Sequence, residues 1–500
     1  MGKRKVKGQP QGATKQPSTE PSAKKQPARK RRQRGRPVLS DSLHVTSEHA
    51  AGIDIHQREH WVAVPPGSTP PAPKAPKAPK DPKDHPANVP AHVRCFCTNT
   101  ADLEELADWL TTCGVTTIAM ESTGIYHIAL FELLERRGFE VYLVDPRQTK
   151  HVPGRPKTDV HDCQWIQRLH SYGLLSAAFR PADQVVVLRG YLRQRQMLLS
   201  YGGQHIQHMQ KALEQMNVKL GVVVSDVTGV TGMAIIKAIL AGERDPLKLA
   251  KLRNEKCKHS EAEIARALYG TWRAEHLFEL KQAVALYEFY QARLRECDRE
   301  LEAHLRTFED KSDGEILPPR LRRYKHPAND PHFDVRPLLH QMSGVDLTVL
   351  EGIDDSTALT ILSEIGTDMS KFPTEKHFTS WLGLSPQHQG SAGRIRSRHV
   401  RRGANRAARA FRLAGQGCHH AKNALGAFYR RIQSRSSGGK AVVATARKIA
   451  TRVYRLLKYG LDYVRQDMDA YEEAYRLKLI KGLARKAQQL GYRLEPAMTP

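Results

Sequence analysis

Between Glu375 and Asp462 the chain contains no aspartate or glutamate, while the same 86 residues, 376 to 461, hold 19 Lys and Arg. Whatever this stretch folds into must tolerate cations with no acidic neighbours in sequence. Such a block fits a polyanion, because neutralising phosphates releases counterions and supplies sequence-independent affinity. Residues 1–40 form a second block, with 13 Lys/Arg against Glu20 alone. Of the formal charge of +27, everything outside the two blocks sums to −4, so a nearly balanced protein lies between them. A basic tail on an ordinary soluble protein accounts for residues 1–40 but not for the acid-free stretch. Within that stretch Ser391 sits in Gln389-Gly390-Ser391-Ala392-Gly393, followed by Arg394, Arg396, Arg398, Arg401 and Arg402. A hydroxyl flanked by small residues and followed by guanidinium groups is a place to hold a phosphate.

Five hundred residues imply two or three domains with sizeable cores. Seven cysteines, at 95, 97, 113, 163, 257, 297 and 418, are too scattered for a disulfide framework, and Cys95-x-Cys97 has no second pair to complete a zinc site. With no signal peptide and no 18-residue apolar run, the expectation is a soluble, cytoplasmic protein with no membrane partner.

Residues 1–40, and by extension the arm 1–47, have too few apolar residues for a core and read as a disordered cationic arm. From His49 the pattern is regular. His49 to Ile55 reads as a strand, Trp61 to Val64 as its hairpin partner, and Val93 to Thr98 as a third strand after a Pro/Lys-rich insertion over 65–92. A helix over Asp102 to Cys113 follows, then the uncharged strand Val115 to Met120 of the buried parallel kind. A helix from Tyr126 to Arg137, a strand from Glu140 to Val144 and a helix from Thr158 to Leu169 complete the order β-β-β-α-β-α-β-α. That is the order of an α/β ribonuclease-H-like domain, here over 48–182.

Residues 183–335 read as helical, with helices over Leu188 to Val218 and Ile264 to Phe308. In the second, Leu280, Tyr287, Leu294 and Leu301 recur every seven residues, a coiled-coil seam or the stripe of a long buried helix. Pro318 to Pro337 reads as a linker. A mostly α-helical C-terminal domain is expected over 336–470, with a basic helical tail over 471–500. Leu350-Glu351-Gly352-Ile353-Asp354 leading into Thr357 to Gly366 has the pattern of a helix-hairpin-helix unit, which grips a phosphate at a helix start. A short helix over Phe378 to Leu384, a Gly-rich loop around Ser391, and basic amphipathic helices over Asn405 to Leu413 and Lys440 to Tyr463 follow.

Four carboxylates stand where chemistry could use them. Asp54 lies mid-strand and projects opposite to Ile53 and Ile55. Glu121 ends the buried strand, and Asp159 and Asp162, three apart, share a helix face. Singly each has an ordinary reading, Asp159 as a helix N-terminal charge and Glu121 as a solvated strand end. Together they occupy the positions where a ribonuclease-H-like fold gathers metal ligands. Such a cluster repels itself unless a cation neutralises it, and its natural occupants are two Mg²⁺, with Mn²⁺ the alternative.

Ile53-Asp54, Glu121-Ser122-Thr123-Gly124 and Lys157-Thr158-Asp159-Val160-His161-Asp162 resemble the three DEDD blocks of the insertion-sequence-one-hundred-ten family of bacterial transposases, whose N-terminal domain resembles the resolvase RuvC. Gly352-Ile353, Gly383-Leu384-Ser385-Pro386, Ser391-Ala392-Gly393 and Arg394 to Arg402 resemble that family's C-terminal domain in order and spacing. The resemblance implies an insertion-sequence recombinase in which Asp54, Glu121, Asp159 and Asp162 hold metal and Ser391 attacks DNA to form a phosphoserine link. It also implies Arg394, Arg396, Arg398, Arg401, Arg402, Arg406 and Arg409 on nucleic acid, and an element-encoded structured guide RNA pairing with donor and target DNA. In a bacterium such a protein would be nucleoid-associated when bound. The seven-residue seam, and two strands needing two sites, point to a homo-oligomer of at least two copies. The alternatives are a RuvC-like structure-specific nuclease in which Ser391 only contacts phosphate, and a non-enzymatic nucleic-acid-binding protein. Asp162 and Ser391 are more than 200 residues apart, so the fold or a partner subunit must unite the two halves of the site.

Overall fold

Ala50-Ala51-Gly52-Ile53-Asp54-Ile55 is apolar but for one aspartate, and it forms the central strand of a five-stranded sheet. The structure is a computed structural model that describes residues 44–69, 89–121, 124–149, 158–317, 319, 327–386, 389–391, 394–397, 400 and 405–495, without the side chains of 389–391 and 394–397. The basic arm 1–40, most of the insertion 65–92, Ser122, Thr123, Lys157, Arg398, Arg401, Arg402 and part of the 318–337 linker lie outside the described residues. The chain divides into two compact units, Met1–Ala178 and Phe179–Pro500.

In the first unit β1 (Ala50–Ile55), β2 (Glu59–Ala63) and β3 (Val93–Cys97) form an antiparallel meander. After α1 (Thr100–Thr112), β4 (Thr117–Glu121) pairs parallel with β1; after α2 (Ile128–Arg136), β5 (Glu140–Val144) pairs parallel with β4. The strand order is β3-β2-β1-β4-β5. A short α3 (Pro146–Thr149), which the sequence pattern did not announce, precedes α4 (Asp159–Ser171). Strand alternation sorts the two faces. Ala51, Ile53, Ile55, Ile118 and Met120 pack with Leu106, Leu110, Leu130 and Leu134 of α1 and α2. The opposite face, which Asp54 shares, packs Trp61, Ala63 and Ala119 against Val160, Cys163 and Ile166 of α4.

In the second unit α5 (Asp183–Gln215) is followed by α6 (Leu220–Val223), α7 (Val230–Leu240), α8 (Pro246–Ala250), α9 (Glu261–Ala267) and α10 (Ala274–Leu305). The single helix expected over Ile264 to Phe308 is therefore two. Thr271 N donates to Met216 O, and Gly270 lies so close to that carbonyl that a Cβ would stand 2.6 Å from it, so the chain breaks its helix to pack there. The seven-residue stripe on α10 is consumed within the chain. Leu301 packs with Leu188, Leu294 with Leu198 and Leu280 with Met209, an antiparallel pairing along α5. A buried Arg195–Asp298 pair, Nε to Oδ1 2.6 Å, fixes its register. The stripe thus no longer argues for self-association.

The helices α11 (Val335–Ser343), α12 (Asp355–Ile365), α13 (Glu375–Trp381), α14 (Arg406–Gly417), α15 (Ala424–Arg435), α16 (Gly438–Tyr459) and α17 (Leu461–Gln489) complete the unit around Phe378, Phe411 and Tyr454. The residues around Ser391 pair as a hairpin of β6 (Gln389–Ser391) and β7 (Arg394–Ser397), with Ser391 opposite Arg394, rather than forming an open loop. One helix was expected over Lys440 to Tyr463; Gly460, at φ 83°, divides it and lets α17 begin. No described helix is long and apolar enough to cross a membrane.

Candidate active site

Gly52 sets the geometry of the first unit's site. A Cβ there would stand inside the van der Waals envelope of the Gln167 backbone nitrogen and the Cys163 carbonyl oxygen, so only glycine lets α4 lie this close to β1. Two residues on, and on the same face, Asp54 is nearly buried at 8 % exposure. The N-terminus of α4 ends beside it. Thr158 caps that helix by accepting from His161 N, and Asp159 and Asp162 occupy its first turn, where the helix dipole favours them. The ordinary reading of Asp159 as a dipole-favoured charge and its role as a possible ligand therefore coexist.

His56, alternate to Asp54 along the chain, joins the two elements. Its Nε2 lies 3.2 Å from Asp54 Oδ2 and 3.3 Å from Asp159 Oδ1. The ligand atoms of Asp54, His56 and Asp159 all fall within 4.8 Å of one another, a group able to hold a cation. Sequence reasoning missed His56, although Asp54-Ile55-His56 has the spacing that puts both polar side chains on one strand face. Glu121 ends β4 and receives a hydrogen bond from Thr149 Oγ1 at 2.9 Å. Trp165 Nε1 of α4 donates to the Thr149 carbonyl at 3.1 Å, which ties the short α3 to α4.

The electrostatics link all four acids. Burial pushes the Asp54 carboxyl from 3.8 up to about 6; His56 opposes the rise, and the charges of Asp162, Glu121 and Asp159 add to it. Burial likewise pushes the Cys163 thiol behind Asp54 up to about 12, with the Asp54 charge adding, so it packs as a neutral group.

The second unit presents the opposite charge. Asn405 caps α14 by accepting from Ala408 N, and Arg406 and Arg409 are exposed on that helix while Ala407, Ala410, Phe411 and Ala414 are buried. The backbones of Ser391, Arg394 and Arg396 are placed by the hairpin. The turn before α12 is built differently from a phosphate grip. Asp354 fills that helix start by accepting from Thr357 N, and Asp355 follows it in the first turn. Gly352, at φ 83°, has its missing Cβ facing Ala414 O at 2.6 Å, so its freedom serves packing on α14.

Residues 85–218 match the family model for the DEDD transposases of IS110, described as a transposase, and residues 346–430 match the model described as a transposase of the IS116/IS110/IS902 family. The first covers Glu121, Asp159 and Asp162 and begins beyond Asp54, which the structure brings to them; the second covers Ser391. The chain is also similar to an uncharacterized 43.6 kDa protein of insertion element IS110 from Streptomyces coelicolor, 32% identical over 126 residues. That alignment takes in 25% of this chain and 31% of the relative.

Proposed function

We propose, for a chain that belongs to the IS110 family of transposases, that it cuts and rejoins DNA strands at the ends of an insertion sequence. In this reading Ser391 is the nucleophile and the acids of the first unit form a divalent-metal site. The meander β3-β2-β1 continued by parallel β4 and β5, with Asp54 mid-sheet, supports reading that unit as ribonuclease-H-like. The observation that carries the metal site is the gathering of Asp54, His56 and Asp159; the Asp54 carboxyl beside them is raised by burial first and by the charges of Asp162, Glu121 and Asp159 after it.

Hard carboxylate oxygens suit Mg²⁺ or Mn²⁺. Asp54, Glu121, Asp159 and Asp162 would hold the metal, which when bound supplies neutralising charge at the oxygens of a phosphodiester. His56 holds Asp54 and Asp159 in register, and Thr149 orients Glu121. Attack by Ser391 Oγ on a DNA phosphorus forms the O–P bond of a phosphoserine and breaks the bond from that phosphorus to one deoxyribose oxygen. The serine proton is released, and the departing oxygen takes up a proton. A new deoxyribose hydroxyl reverses the step and frees the serine, so phosphoester bonds are conserved throughout. Arg394, Arg396, Arg398, Arg401, Arg402, Arg406 and Arg409 serve as phosphate clamps. A structured guide RNA and action as at least a dimer belong to the same reading and rest on the family resemblance.

The test is denaturing electrophoresis after incubation with DNA carrying the element's ends, its transcript and Mg²⁺. A covalent protein–DNA adduct forms with the wild-type protein and not with Ser391→Ala. An adduct from the alanine protein overturns the serine assignment. Cleavage that survives Ser391→Ala but not Asp54→Ala identifies a RuvC-like structure-specific nuclease instead.

A further inference from the structure

Residues of the acid-free stretch, with Asp467 and Tyr471 of α17, line a cavity of about 910 Å³ that the proposed chemistry does not use. Its wall is of two kinds. Leu384, Pro386, Val400, Phe428 and Val443 are apolar, whereas Lys440, Arg447, Lys448, Arg452 and Arg455 are cationic and Asp467 is the one acid of the lining among the described residues. Pro386 and Val400 also form the β-bridge across the base of the Ser391 hairpin, so the cavity adjoins that hairpin.

Two of the five cations are neutralised from outside the acid-free stretch. Arg452 pairs with Glu351, and Arg455 pairs with Glu375 at 2.7 Å and Asp467 at 3.3 Å. Among the described residues the ion pairs of this lining are those of Arg452 and Arg455, and Lys440 and Arg447 take part in none. Lys448 is held between two rings, its Nζ 4.8 Å from the Phe428 centroid and 4.1 Å from that of Tyr471. Burial lowers the Lys448 pKa, and Arg452 and Arg431 lower it further against Asp467. A half-buried cation among cations is short of an anion.

A ligand for this cavity has to be anionic on one side and flat and apolar on another. Inorganic phosphate would leave the apolar wall unused, and a duplex backbone would not enter a recess. A nucleotide with its base out of the stack has both parts, and the volume lies in the range of ligand-sized sites. We propose that the cavity takes one unstacked nucleotide of the DNA strand adjoining the phosphate on which Ser391 acts, its phosphate on Lys440, Arg447 and Lys448 and its base against Phe428, Val443 and Pro386. The choice of that strand rests on the reading of Ser391 as nucleophile; the nucleotide itself rests on the cavity. Because every base has a flat apolar face, the site is tolerant of base identity.

The test uses the full-length protein, fluorescein-labelled single-stranded DNA, its duplex, and single-stranded RNA of the same sequence. Anisotropy is read at fixed salt without divalent metal, so that binding is separated from cleavage. Val443→Phe narrows the apolar side of the cavity without altering charge, and Arg447→Ser removes a cation with no acid in ion-pair distance among the described residues. Val443→Phe weakens single-stranded DNA about tenfold or more while leaving duplex binding unchanged. Arg447→Ser weakens single-stranded DNA and lowers its salt slope by about one. Thermal melting verifies that each variant folds, and Arg447→Ser carries the test if Val443→Phe does not. Equal loss on single strand and duplex with Val443→Phe, or no loss with either variant, overturns the proposal; a larger loss on RNA than on DNA overturns the choice of strand. The anisotropy involves no cleavage, so loss of the adduct in Ser391→Ala reports on the serine chemistry alone, while loss of single-strand binding in Val443→Phe or Arg447→Ser reports on this site alone.

Discussion

The two units hold opposite electrostatic problems. The first sets acids around β1 and the start of α4, with His56 between Asp54 and Asp159, and the second sets cations along α14 and α16. In the first, burial and then the neighbouring acids hold the Asp54 carboxyl above its ordinary range, with His56 opposing them only in part. In the second, part of the repulsion is settled internally, by Glu351 on Arg452 and by Glu375 and Asp467 on Arg455. The difference separates an acidic cluster with one raised carboxyl from cations paired within the fold, and each side of it can be broken by one substitution.

The largest effect is expected on the settled side. Arg452 is 5 % exposed, so Glu351→Gln leaves a buried guanidinium unpaired and should cost about 3–5 kcal/mol of stability in the Phe179–Pro500 unit. Chemical denaturation measures it, and a cost below about 1 kcal/mol would mean the pair behaves as a solvated one. Next, Gly52→Ala drives a methyl into the backbone of α4 and should destabilise the first unit by about 3 kcal/mol, the upper end of ordinary overpacking. Thermal unfolding reads this, with Mn²⁺ affinity falling in step because α4 carries Asp159 and Asp162.

Asp54→Asn moves stability the other way. The folded carboxyl titrates near 6, above its ordinary 3.8, so ionising it opposes folding. The penalty is absent below about pH 4, grows as pH rises, and is complete above about pH 6. Without metal, the asparagine protein should therefore be more stable than the wild type by up to about 3 kcal/mol near pH 8, from roughly two pKa shifts of 1.36 kcal/mol each, and equal to it near pH 4. Unfolding in EDTA at the two pH values decides this. The smallest effect belongs to His56→Ala, which should weaken divalent-cation affinity about tenfold, the scale for a group that orients or completes a ligand set. Calorimetric titration with Mn²⁺ reads it.

Much of the first unit was legible because its acids stand on regular elements. The period of two along β1 turned Asp54 away from Ile53 and Ile55, and the three-residue step put Asp159 and Asp162 on one helix face. What was not legible depends on contacts between elements. The need for glycine at position 52 arises from α4, more than 100 residues later, and Thr149 reaches Glu121 only because a short helix turns there. In the second unit the charge was plain in the sequence but its division was not. Nothing local marks Glu351 as the partner of Arg452, or the stripe on α10 as one that α5 covers. The Gly-Ile turn was read as a phosphate grip because the pattern does not show that Asp354 fills the helix start itself.

The central claim is that Asp54 and Asp159, which His56 holds in register, bind a divalent cation. Electron paramagnetic resonance of Mn²⁺ added to the full-length protein tests it most directly. The wild type should show bound Mn²⁺ that Asp54→Asn loses while remaining folded. A wild-type protein that binds none, or an Asp54→Asn protein that binds as well, would contradict it.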